Sequence, residues 1–254
     1  MFFPIGLSVS LARFPWANFI LILVITTVSI LAWIDQDLMI QLSGATVVGS
    51  GPFEVWAFHR PVASWPDYAV SASFLHADVL HLLGNMLFLY LFGTAMNAKL
   101  GHIRYLLLYF ASAIFSGCLF YATSDGAAVG ASGAIMGVVG AFAVMYPLNE
   151  VRVFYWVTYF LTGTFEISAY WVLGFYIGFD IFNWITDDAP VVAYAAHVGG
   201  FALGFAVMLT LLKLGWITPN RDERTLLQAF AGEAEPEMLP YDKPATASSS
   251  DPEP

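Results

Sequence analysis

Charge and cysteine are what this chain has least of. Only 11% of its 254 residues are Asp, Glu, Lys or Arg, against about 25% in soluble domains. That scarcity argues against a soluble globular protein. Lysine and arginine together number nine and form no basic patch, so no nucleic-acid partner is expected. The single cysteine, Cys118, lies in an apolar run; an intrachain disulfide is impossible, and the compartment cannot be read from it. Metal-ligand patterns are also missing. There is no H-E-x-x-H, and no Glu lies near the candidate histidines His76, His81 and His197. His76 and His81 are five apart, about 140° around a helix. No metal and no cofactor is therefore expected. An aspartyl protease needs two membrane aspartates, and only Asp180, in GFYIGFDIFNW, sits within an apolar segment. The paired hydrophobic halves and broken helices of a small transporter are not visible either.

What is present is hydrophobicity: 59% of the residues, with a mean hydropathy of +0.71. A spanning helix needs roughly 20 mostly apolar residues. Six segments meet or approach this, at about 17–34, 79–96, 105–122, 132–146, 170–185 and 194–214. The expectation is an all-α, polytopic six-helix membrane domain over 1–216. No small-x-small cleavage site follows the first segment, which reads as an anchor. The apolar, aromatic stretch 151–164 reads as interfacial, with a helix buried in the membrane as the alternative. The loop at about 35–78 is too long for a simple connection and is expected to have structure of its own. Eight of the nineteen acidic residues follow Trp216. This tail, 217–254, is expected to be cytoplasmic and largely disordered, above all after Gly232.

Orientation follows from the basic residues. Six spans place both termini on one side. Arg13, Lys99, Arg104, Arg152, Lys213, Arg221, Arg224 and Lys243 fall there, and only Arg60 falls opposite. Both termini are thus expected in the cytoplasm. Helices two, four and six then all enter from the outer face, and each carries polar residues near its entry end. These are His81 and Asn85 in HLLGNM, Ser132 in GASGAIMG and His197 in AAHVGGFALG. Polar groups inside a membrane are costly and face a cavity or each other. His81 and Asn85, four apart, share one helix face. Gly133, Gly137 and Gly140 on helix four and Gly200 and Gly204 on helix six let two backbones approach closely. Packed so, Ser132 can reach His197, a nucleophile beside its base. His81, Asn85 and the Ser132 amide can then face a developing oxyanion. Taken singly, each motif also suits ordinary helix packing; their conjunction at one depth carries the reading.

HxxxN, then GASG, then AHVGGFALG, on the second, fourth and sixth of six helices, resembles the rhomboid intramembrane serine proteases, over about Phe2 to Trp216. The resemblance implies a Ser132–His197 dyad that needs no acid, with His81 and Asn85 stabilising the oxyanion. It implies that Gly130 and Gly133 flank the nucleophile, that Gly200 and Gly204 admit helix six, and that His76 has a structural role. The implied partners are the lipid bilayer and the transmembrane segments of substrate proteins. Three positions depart from the family pattern. Met136 stands where many rhomboids carry an aromatic residue stacked on the base, and Asp67 and Tyr68 stand where a Trp-Arg pair is frequent. Trp56, Arg60 and Trp65 are candidate substitutes for that pair. Asp180 has three readings: a third member orienting His197, a cavity-lining group, or a partner for a buried polar group. The rival function is a non-catalytic rhomboid-like protein that binds or escorts membrane clients.

Overall fold

The computed structural model of the chain describes residues 2–35, 46–48, 55–57, 67–124, 128–158, 161–187, 192–220 and 223–232. The expected disorder after Gly232 and the candidates Arg60 and Trp65 lie outside these residues. Strand β1 (Phe2–Leu7) leads into helix α1 (Trp16–Ile34). A short antiparallel pair, β2 (Thr46–Val48) and β3 (Val55–Ala57), lies in the long loop, and Trp56 falls on β3. Helix α2 (Asp67–Ala72) closes that loop and begins with Asp67 and Tyr68. The remaining helices are α3 (Val79–Leu100), α4 (His102–Thr123), α5 (Ser132–Met145), α6 (Ala169–Thr186), α7 (Tyr194–Lys213) and α8 (Leu226–Phe230).

Four of these, α1, α3, α4 and α7, are long and apolar enough to cross a membrane. Helix α5 has only 14 residues, about 21 Å at 1.5 Å per residue. A hydrocarbon core is about 30 Å thick, so α5 falls short of it by about two turns, and its first residue is Ser132. Every α5 residue except Ser132 and Ala143 is buried, so α5 is the axis on which the other helices pack.

Helix α3 is interrupted by a π-turn at Leu89–Gly93. Such a turn frees carbonyls from the regular ladder, and Asn18 of α1 donates to one of them, Leu89 O, at 2.9 Å. Gly101, at φ +79°, is the whole connection between α3 and α4. A Cβ at Gly200 would overlap the Gly133 carbonyl, one at Gly204 the Gly137 carbonyl, and one at Gly140 the Phe201 carbonyl. Helices α5 and α7 are therefore in backbone contact along this seam. Ser112 and Ser116 of α4 press on Gly137 and Gly133 from the other side.

The stretch 151–164 is a β-hairpin and not a helix: β4 (Glu150–Thr158) pairs antiparallel with β5 (Leu161–Ser168). Strand β1 adds to the free side of β4, giving the order β1-β4-β5. Val151 and Val153 turn into the core, while Arg152 bonds Glu166 across the outer face at 2.8 Å. The sheet follows the last turn of α5, at the end of the bundle away from Ser132. There the start of the tail is also pinned. Glu223 is buried and pairs with Lys99, and Tyr146 Oη donates to its Oε1 at 3.0 Å.

Candidate active site

The site is built around the entry to α5. Gly130, two residues before Ser132, has φ +119°, a region that L side chains rarely adopt. A Cβ there would also lie 2.7 Å from His81 Cε1 and 3.5 Å from Asn85 Nδ2. Only glycine allows this segment to lie against the His81–Asn85 face of α3. That face is set by Asp78, whose side chain caps α3 by accepting from the His81 amide at 2.9 Å.

Backbone bonds tie the same segment to the loop before α3. Gly130 N–H donates to Ala72 O at 3.0 Å, and Ala131 N–H reaches His76 Nε2 at 3.5 Å. Nε2 is thereby the acceptor, so Nδ1 carries the proton and donates to Ser29 Oγ at 3.0 Å. Ser29 donates on to Phe74 O at 3.0 Å, and Trp33 Nε1 donates to His76 O at 2.9 Å. Burial, with His81 as the next cause, lowers the pKa of His76 to about 3. His76 is therefore neutral at physiological pH and serves as a post for the Ser132 loop. Its ring meets that of His81 at 5.0 Å and 68°.

Asn85 is 9% exposed, and its Nδ2 finds no hydrogen-bond partner among the described residues. A buried donor without a partner is rare and costs about 1–3 kcal/mol. This one lies beside Gly130 and the first turn of α5, where the leading amides of a helix have no partner within the helix. The arrangement offers several donors to an anion at one place.

Helix α7 arrives from the other side. A Cβ at Gly133 would meet that of Ala196 at 3.6 Å, so the neighbours of Ser132 and His197 are in contact. His81 lies within electrostatic reach of His197. The His197 Nδ1 is 3.0 Å from Asp180 Oδ2 of α6, and the side chains are 16% and 10% exposed. The ring contact on His197 comes from Tyr194, one turn earlier, at 6.5 Å and 88°. Met136 is buried within α5. A cavity of about 50 Å³ opens beside Ser132, lined also by Ser73, Ser116, Gly130, Gly133 and Ala196. It has room for water, since one water needs about 10–15 Å³ on this measure.

The model of the Rhomboid domain matches residues 64–214. The chain belongs to the rhomboid family. The matched region contains every candidate residue from His76 to Gly204, and the rhomboid chain is a multi-pass membrane protein. Its relatives include RHOMBOID-like protein 4 of Arabidopsis thaliana, 33% identical over 153 residues, 58% of this chain and 35% of that protein. Rhomboid protein 1, mitochondrial, of Saccharomyces cerevisiae is 29% identical over 194 residues, 66% of this chain and 51% of that one. Rhomboid protease GlpG of Yersinia pseudotuberculosis is 31% identical over 154 residues, 59% of this chain and 48% of that one. The chain spans about half the length, or less, of these curated relatives.

This rhomboid also uses residues that sequence reasoning passed over. Tyr194 is three residues before His197 on one helix, a spacing that places both on one face. Ser112 and Ser116 form a small-xxx-small pair, the pattern already visible in the glycines they touch. Ser29, which holds His76, carries no such signal; it is one hydroxyl among several in α1.

Proposed function

We propose that the chain is an intramembrane serine endopeptidase that cleaves transmembrane segments of other membrane proteins. The observation that carries this reading is the contact of the first turns of α5 and α7, at Gly133 and Ala196. Ser132 and His197 are the adjoining residues. His197 takes the Ser132 proton as the oxygen attacks a substrate carbonyl. The oxyanion is received by His81, Asn85 and the Ser132 amide. His197 then gives its proton to the leaving amine, and water hydrolyses the acyl-enzyme. The unpartnered Asn85 Nδ2 supports the oxyanion role, because a donor left free in the resting protein gains its partner in the transition state.

The short α5 supports a site below the outer membrane surface, with the bilayer as surroundings. Six spanning helices and cytoplasmic termini complete the proposal, in the cell or inner membrane if the source is bacterial. Amides within a substrate helix are hydrogen-bonded, so cleavage requires local unwinding and favours small or helix-breaking residues. The test is reconstitution with a labelled single-span substrate, comparing wild type, Ser132→Ala and His197→Ala. Equal cleavage in all three sinks the protease reading and leaves a client-binding rhomboid-like protein.

A further inference from the structure

Asp180 is the one carboxylate on a helix whose other side chains, apart from Asn183 and Thr186 in its last turn, are aromatic or aliphatic. Phe175, Phe179, Phe182 and Ile185 around it are all exposed on the outer side of α6. The buried residues of α6 are Ala169, Leu173 and Asp180. Their spacings of four and seven define one stripe along the helix. Two members are apolar, as packing alone requires. The third, nearest the Ser132 level, is charged and 7% exposed. A carboxylate is costly within an apolar helix and is retained where a specific partner meets it. The partner is His197 Nδ1, at 3.0 Å.

The chemistry of that contact fixes a proton. An ionised carboxylate can only accept, so Nδ1 must donate. The Nε2 atom is then the nitrogen with the free lone pair, which is the atom a general base uses. We propose that Asp180 is a positioning residue for His197: it holds the tautomer and ring direction that leave Nε2 available to Ser132, making the site a Ser132–His197–Asp180 relay and not a bare dyad. This rests on the reading of Ser132 and His197 as the catalytic pair. Asp180 also ties α6, whose surface is mostly exposed, to α7 at the level of the site.

The test uses the full chain in liposomes and a fluorophosphonate that labels Ser132. The near-isosteric Asp180→Asn keeps the size and removes the obligate acceptor. Its labelling is expected to reach the wild-type endpoint, at a rate lower by at least about 10-fold; the corresponding change in a serine-protease triad costs roughly 10⁴-fold in kcat. Against a single-span substrate, kcat falls by the same factor while KM stays within about twofold, and Asp180→Glu recovers part of the rate. A wild-type labelling rate in Asp180→Asn overturns the proposal. So does a reduced endpoint at an unchanged rate, which marks lost folded protein and a merely structural carboxylate. Ser132→Ala runs in parallel. If it labels like wild type, the serine-protease reading falls and this proposal with it; if only wild type and Asp180→Asn label, and equally fast, the relay alone falls.

Discussion

Asn18 and Asn85 are both asparagines buried in helices of an apolar bundle, and the Leu89 carbonyl that Asn18 holds lies one turn along α3 from Asn85. Asn18 is fully enclosed and fully used. Its Nδ2 donates to Leu89 O at 2.9 Å and Thr94 Oγ1 at 3.2 Å, its Oδ1 accepts from Tyr105 at 2.5 Å, and its amide donates to Asn97 Oδ1 at 3.1 Å. Nearby, the buried Lys99 and Glu223 are paired with each other. Nearer Ser132, Asn85 Nδ2 is buried without a partner among the described residues. A network complete in itself stabilises one structure; an incomplete one is destabilising at rest and keeps donors in reserve. The contrast suits a fold-maintaining role for Asn18 and the proposed oxyanion role for Asn85.

Substitutions can break this contrast, and the largest effect is expected at Ser132. Ser132→Ala should lower cleavage by about 10³-fold or more, with an unchanged melting temperature, read by a gel assay and thermal denaturation in parallel. Asn85→Ala should cost about 10²–10³ in kcat without loss of thermal stability, because it deletes a buried Nδ2 donor that has no partner among the described residues. A drop in stability with normal kcat would place Asn85 with Asn18. Asn18→Ala is the mirror image: about 2 kcal/mol of unfolding free energy lost, since Leu89 O and Tyr105 Oη lose their partner. The kcat per titrated Ser132 should stay at the wild-type value, measured by denaturant unfolding and active-site labelling.

The smallest effect concerns the His76 post. Its pKa is lowered from 6.5 to about 3 in the folded protein, so the unfolded chain binds more protons between those values. The stability it contributes is fully present above pH 6.5 and is lost as pH falls. The loss is about 1 kcal/mol at pH 6 and about 2 kcal/mol at pH 5, from 1.36 kcal/mol per pH unit. The melting-temperature gap between wild type and His76→Gln should narrow over that window. A constant gap would show that His76 does not titrate with unfolding.

The helices were legible because apolar runs of spanning length have few other uses; all six expected segments have helical counterparts among the described residues. Stretch 151–164 was less so. A short run of Val, Phe, Tyr and Trp has no period that separates strand from helix, and β1, its pairing partner, is about 150 residues away in sequence. In the site, helix parity put Ser132, His197, His81 and Asn85 at one level, and the glycine spacing anticipated the α5–α7 seam. The Asp180–His197 contact was legible only in depth. Its direction depends on how α6 is rotated against α7, which spacing along one helix does not determine. Tyr194 was not legible because the resemblance places the aromatic ring at position 136, on a different helix.

The length of α5 works as a ruler read from the sheet end. Its last turn is anchored by the buried Met145, Tyr146 and Val151, and its fourteenth residue counted back is Ser132. Each residue inserted between them would raise the hydroxyl by about 1.5 Å and swing it by about 100°. A change of one residue therefore turns the Ser132 hydroxyl away from His197 while shifting its depth by only about 1.5 Å. Facing is largely recovered after about four residues, one turn and roughly 6 Å. For the proposed protease, the depth of cutting is thus not continuously adjustable through this helix; it comes in coarse steps, and fine choice of the scissile bond is left to the substrate.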